Sequence, residues 1–105
     1  MVLSTIITRI WHGTTALGKA DAYLDFLLNK GTADYKKTPG NLSILVWRRL
    51  EKDKAHFWTV TTWKDLESVK AFAGENYEKA VYYPEDDEFL LEFEPGVLHC
   101  ETYEV

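Results

Sequence analysis

Residues 5–12 read Thr-Ile-Ile-Thr-Arg-Ile-Trp-His, and the alternation within that stretch decides the fold. Side chains along a strand point to opposite faces in turn. Ile6, Thr8, Ile10 and His12 therefore share one face, and Ile7, Arg9 and Trp11 the other. Residues 42–50 divide in the same way into Leu42, Ile44, Val46 and Leu50 against Leu45 and Trp47. Residues 55–63 divide into Phe57, Thr59, Thr61 and Trp63 against Trp58 and Val60. An antiparallel sheet with one wet face alternates apolar with polar residues. Here both faces carry large apolar groups, while the chain has helical segments enough to cover only one. The second face predicts a partner, and the simplest partner is another copy of the chain.

The remaining elements follow from periodicity and breakers. His12-Gly13-Thr14-Thr15 predicts a turn after strand one. A helix is expected over residues 19–37, with Ala20, Leu24, Leu27, Gly31 and Tyr35 on its inner stripe and Tyr23 and Leu28 widening it. Gly31 marks a weak or close-packed point in it. Thr38-Pro39-Gly40 stops that helix. Glu51-Lys52-Asp53-Lys54 forms a hairpin loop whose register sets Trp47 opposite Trp58 and Arg49 opposite His56. Asp65 caps a second helix that carries Leu66, Val69, Phe72 and Ala73 inward and ends at Gly74. A further helical turn is expected over 75–80, a loop over 82–89, and a fourth strand over 96–103. The order is β-α-β-β-α-β, an α+β, ferredoxin-like arrangement with two helices on one face of a four-stranded antiparallel sheet. The whole chain, 1–105, forms one domain.

Composition narrows the function classes. The 105 residues are 46% hydrophobic and 28% charged, with 14% aromatic residues suited to a dense core or a pocket. All twelve Lys and Arg lie in residues 1–79, and residues 80–105 hold acids only. That asymmetry argues against nucleic acid as a partner. The run Glu85-Asp86-Asp87-Glu88 reads as a solvated loop without calcium-loop spacing. No apolar run spans a bilayer, and the opening Met-Val-Leu-Ser-Thr-Ile-Ile has no basic n-region, so a cytoplasmic protein without membrane contact is expected. The single Cys100 excludes an intrachain disulfide.

The element order, the two-faced strands, Pro39-Gly40 before strand two and Trp63 closing strand three carry a family likeness. Thr61-Thr62-Trp63-Lys64-Asp65-Leu66-Glu67 is similar to a Trp-x-(Ser/Asp)-x-Glu helix start. Together these features resemble the dimeric α/β-barrel superfamily, in its antibiotic-biosynthesis monooxygenase-like branch. The resemblance implies a homodimer in which two sheets face each other as a barrel, with the helices outside. It implies a small aromatic or polyketide-like ligand and cofactor-independent oxygenation. A polyketide cyclase or lyase and a non-catalytic, stress-related binding domain share the same fold. The haem-degrading branch uses an Asn, a Trp and a His at places taken here by Thr8, Phe72 and Tyr82. No bound cofactor is therefore expected.

Among candidate site residues, His12 stands beside Gly13 where strand one is expected to end. An imidazole there suits proton removal from a phenol or an activated carbon, in a pocket between sheet and helices. A hydrogen-bonded histidine at the dimer seam explains the same residue. Trp11, Trp63, Phe72 and Tyr82 are candidate walls, with Tyr23, Tyr35 and Tyr82 offering hydroxyls. Arg9, in a largely apolar set, needs an anion, either an internal acid or a substrate carboxylate or phenolate. The internal salt bridge is the first expectation. His12, His56 and His99 fall on neighbouring strands, but their spacing fixes neither common face nor height, so no metal site is expected.

Overall fold

The first strand runs well past the point where the sequence places a turn. The computed structural model describes residues 5–105, and in it β1 spans Ile6–Ala16. It pairs antiparallel with β3 (Lys54–Trp63) from Ile7↔Trp63 to Ala16↔Lys54, so Gly13, Thr14 and Thr15 belong to the ladder. Gly13 makes this extension possible. A Cβ there would sit 2.4 Å from Trp11 Cη2, so the Trp11 ring lies flat over the glycine instead of being pushed off the sheet. His12 is consequently a mid-strand residue.

Strand β2 (Asn41–Leu50) lies outside β3, and the short β4 (Leu98–Thr102) lies on the other side of β1, giving the order β2-β3-β1-β4, all antiparallel. The hairpin register is the expected one: Trp47 faces Trp58 and Arg49 faces His56. The first helical layer is segmented into α1 (Ala20–Phe26), a π-helical stretch Leu27–Gly31 and α2 (Ala33–Lys37). Thr32 Oγ1 donates to Leu27 O at 2.8 Å, and a Cβ on Gly31 would meet Leu27 and Phe26 at 3.0 Å. The weak point of the sequence is thus a wide turn packed tightly on its own side chains.

Helix α3 (Leu66–Ala73) starts where Asp65 Oδ1 accepts the Ser68 amide at 2.8 Å and stops at Gly74, whose φ is +87°. Residues 75–80 form no helix. They run as turns ending in a bridge from Lys79 to Gly96. The acidic stretch, expected as loop, contains a 3-10 helix over Pro84–Glu88. Lys30 pairs with Glu85, and Lys19 Nζ reaches Glu88 O, tying this turn to the first helical layer.

Both helical layers cover one sheet face. Trp11, Phe57 and Ala55 pack there with Tyr23 and Leu27, while Trp63 and Val69 pack with Tyr35. The opposite face remains open. Trp47 is 50% exposed and Leu98 57%, with Ile6 and Leu45 also exposed beside half-buried Ile10 and Trp58.

Gly40 joins the first helical layer to β2 at φ +95°, and a Cβ there would lie 2.0 Å from Ser68 Oγ. Gly18 has nothing within 4 Å of the same position. Gly40→Ala should cost about 2 kcal/mol or more in urea unfolding, and Gly18→Ala close to nothing. Equal stabilities for the two variants would refute this reading of the Pro39-Gly40 step.

Candidate functional site

A cleft opens between the helix-covered face of the sheet and the segment that carries the acidic turn. Trp11 and Thr59 line it from the sheet, Tyr23, Leu27 and Tyr35 from the first helical layer, and Phe72, Tyr83 and Asp86 are among the other walls. About 320 Å³ of space lies between these walls when the open mouth is counted. The walls stand close together, so a ligand has to be flat or part the aromatic rings. The rings are packed against one another: Trp11–Tyr23 centroids are 6.5 Å apart and Tyr35–Phe72 4.6 Å.

Asp86 is the charged group in this cleft. It is only 3% exposed. Tyr23 Oη donates to its Oδ1 at 2.9 Å and the Tyr83 amide to its Oδ2 at 2.8 Å. Burial pushes its carboxyl pKa above the ordinary aspartate range, against the pull of those two hydrogen bonds. A carboxylate with raised proton affinity beside an apolar cavity has the properties of a general base. Burial likewise raises the Tyr23 and Tyr35 hydroxyls, so both are neutral donors at physiological pH. Tyr35 Oη lies 3.1 Å from Thr59 Oγ1.

The structure separates the residues that the sequence places together. Trp11 and Phe72 line the cleft. Trp63 is fully buried behind Tyr35 and Phe72, with its indole N–H donating to Thr61 Oγ1 at 2.9 Å. Tyr82 packs edge-on against Trp11 and gives its hydroxyl to Glu94 O at 2.6 Å. His12 is on the other side of the sheet. Neighbours on a strand point opposite ways, so Trp11 in the cleft puts His12 on the open face. There Glu94 Oε2 meets His12 Nδ1 at 2.5 Å, His12 Nε2 meets His56 Nδ1 at 2.9 Å, and His56 Nε2 meets Glu51 Oε1 at 2.8 Å. Both imidazoles lie against Trp58. A pocket between sheet and helices with His12 as its base is thereby corrected.

His99 faces the helix side, away from the other two histidines, and among the described residues no group of three or more His, Cys, Asp or Glu is arranged to hold a metal. Arg9 is 2% exposed. Its expected acidic partner is absent among the described residues: Nη1 donates to Tyr77 O at 2.5 Å and lies 2.9 Å from His99 Nε2, and Nη2 donates to Lys79 O at 3.1 Å. Desolvation lowers the Arg9 pKa. Asp86 and Tyr83 were not singled out by the sequence reading. Their signal is local: Tyr83-Pro84-Glu85-Asp86 places Pro in the first helical turn and an acid two residues later, the pattern of a capped helix start rather than a free loop.

No protein-family model matches the sequence, and no curated protein matches it. Solved structures do. A Bacillus cereus protein assigned to the antibiotic biosynthesis monooxygenases superposes with TM-score 0.65 at 12% identity, covering 97% of this chain and 99% of that one. The fold is that of the antibiotic-biosynthesis monooxygenase-like proteins. SnoaB, a cofactor-independent oxygenase from Streptomyces nogalater, gives 0.56 at 16% identity over 97% and 95% of the two chains. PA3566 from Pseudomonas aeruginosa gives 0.59 at 19% identity over 100% and 99%. Among the described residues no helix is long and apolar enough to cross a membrane.

Burial, then the Arg9 charge, lowers the His99 pKa from 6.5 to about 4. The unfolded chain therefore takes up this proton first, and stability should fall as pH drops from about 6.5 towards 4. His99→Gln keeps an acceptor for Arg9 without titrating. Urea unfolding at pH 7 and pH 5 should show a smaller acid loss in the variant than in the parent chain, and an equal loss would place the titrating group elsewhere.

Proposed function

We propose that the cleft binds a small aromatic or polyketide-like compound and promotes its oxygenation without a bound cofactor, with Asp86 as the proton acceptor. The observation that carries this reading is a buried carboxylate of raised pKa on the wall of an aromatic cavity. The fold shared with a cofactor-independent oxygenase supports it. A flat ligand stacks between Trp11, Tyr35 and Phe72, and Asp86 takes a proton from an activated methylene next to a carbonyl or phenol. The electron-rich carbanion reacts with dioxygen and, after proton return, forms a hydroperoxide. Loss of water leaves a new carbonyl, so one oxygen enters the product, one leaves as water, and the substrate supplies all four electrons.

The same reading assigns the open sheet face to a second copy of the chain. Ile6, Leu45, Trp47 and Leu98 form an apolar field of the kind that monomers rarely expose. A C2 pairing buries it and places the His12–His56 chain in the seam.

Oxygen uptake in the presence of an anthrone, a tricyclic ketone with one acidic methylene, tests the catalytic half. Wild-type protein should accelerate uptake, and Asp86→Asn should lose a factor of about 10² to 10⁴ while still binding the probe. Tight binding by the wild type with no acceleration would make this a binding domain. Full activity in Asp86→Asn would remove Asp86 from the mechanism.

A further inference from the structure

Four of the residues lining the cleft carry a hydroxyl: Tyr23, Tyr35, Thr59 and Tyr83. Two of those protons are committed to carboxylates. Tyr23 Oη donates to Asp86 Oδ1 at 2.9 Å, and Tyr83 Oη to Asp34 Oδ2 at 2.7 Å. The other two hydroxyls meet each other, with Tyr35 Oη and Thr59 Oγ1 3.1 Å apart, and among the described residues neither has another partner. A hydroxyl carries one proton and two acceptor sites. A bond between two hydroxyls therefore consumes one proton and leaves one over, whichever group donates. Tyr35 is 8% exposed and Thr59 3%, and buried donors in folded proteins are almost always paired. Tyr35 comes from α2 and Thr59 from β3, and both line the cleft, so the leftover proton calls for an acceptor there. Asp86 is the one charged side chain among the lining residues, and it repels a second anion. A neutral acceptor meets both conditions.

We propose that the Tyr35–Thr59 hydroxyl pair is the carbonyl-binding point of the cleft, and that the ligand is a neutral aromatic ketone whose oxygen takes the leftover proton. This deepens the reading of the cleft as a small-molecule site and rests on it. With the oxygen held by the pair, the C–H next to the carbonyl is the one offered to Asp86. When that proton moves to Asp86, the C–H bonding pair passes into the enolate, and negative charge gathers on the oxygen already hydrogen-bonded. A donor aimed at the atom where charge develops lowers the barrier to proton removal. Burial raises the Tyr35 pKa, so its hydroxyl keeps its proton at physiological pH. The Asp86 charge contributes to the same rise, which puts base and donor within electrostatic reach of each other.

Infrared difference spectroscopy of bound 1-tetralone, labelled with carbon-13 at its carbonyl, tests this, with tetralin as the ring-matched probe that lacks the oxygen. In wild-type protein the carbonyl band should lie below its position in a hydrocarbon solvent, as for an oxygen that accepts a hydrogen bond. Tyr35→Phe combined with Thr59→Val removes both hydroxyls and orphans neither, so the fold should hold. In that double variant the band should return to the hydrocarbon position. There 1-tetralone should bind roughly tenfold more weakly, and tetralin within about twofold of wild type. A band at the hydrocarbon position in the wild-type complex would overturn the proposal and leave the cleft as an apolar site. A lowered band that persists in the double variant would place the donor elsewhere and overturn it as well. Binding of neither probe would overturn the cleft reading and this one with it. Should the double variant fail to fold, Tyr35→Phe and Thr59→Val decide singly: at least one has to raise the band, and no movement in either overturns the proposal.

Discussion

Everything in this structure depends on the central strand having two loaded faces. β1 is flanked on both sides by antiparallel partners, so its side chains have nowhere to go but up or down. On one side Ile7, Arg9 and Trp11 meet the helices, and Gly13 gives way so that the Trp11 ring can lie on the sheet. On the other, Ile10 and His12 meet open space beside Val60 and Trp58. A shift of one residue would exchange the two sets, so register and function are fixed together. The cleft exists because Trp11 faces inward, and His12 lies outside it for the same reason.

Two buried charged groups, Asp86 on the cleft wall and Arg9 behind Phe72, carry a stability cost that packing alone would not require. Asp86 is buried with two donors but no cation, and Arg9 is buried with acceptors but no anion. The fold brings neither into ion-pair contact with the other. Had packing been the only demand, an apolar residue at either position would satisfy it better. A buried carboxylate retained on the wall of an aromatic cavity is the arrangement that a functional site, rather than packing, would favour.

The fold was legible because periodicity and breakers determine it. Alternation in three strands, Asp65 as a cap, Gly74 as a stop and the Trp47–Trp58 register all act locally or through one tight hairpin, and each holds. The site was legible in part. Trp11 and Phe72 line the cleft and Arg9 adjoins it, because strand parity and the inward stripe of α3 place them. His12 went astray because Gly13 reads as a turn, when its real task is to admit the Trp11 ring. Asp86 was hidden in an acidic run whose neighbours Asp87 and Glu88 do face solvent. Its capping bond from the Tyr83 amide is local, but the Tyr23 hydroxyl that meets its other oxygen comes from a distant part of the chain.

Burial of the second sheet face by a second copy of the chain is the central claim, and Cys100 reports on it directly. It is the sole cysteine, it pairs with Thr8 on the open face, and in the single chain it is exposed. The decisive measurement is the rate at which a maleimide modifies Cys100 in folded protein as the protein is diluted from micromolar to nanomolar. A covered face predicts slow modification when concentrated, fast modification on dilution, and fast modification at every concentration in Trp47→Glu. Fast modification of the folded parent chain at every concentration would contradict the account.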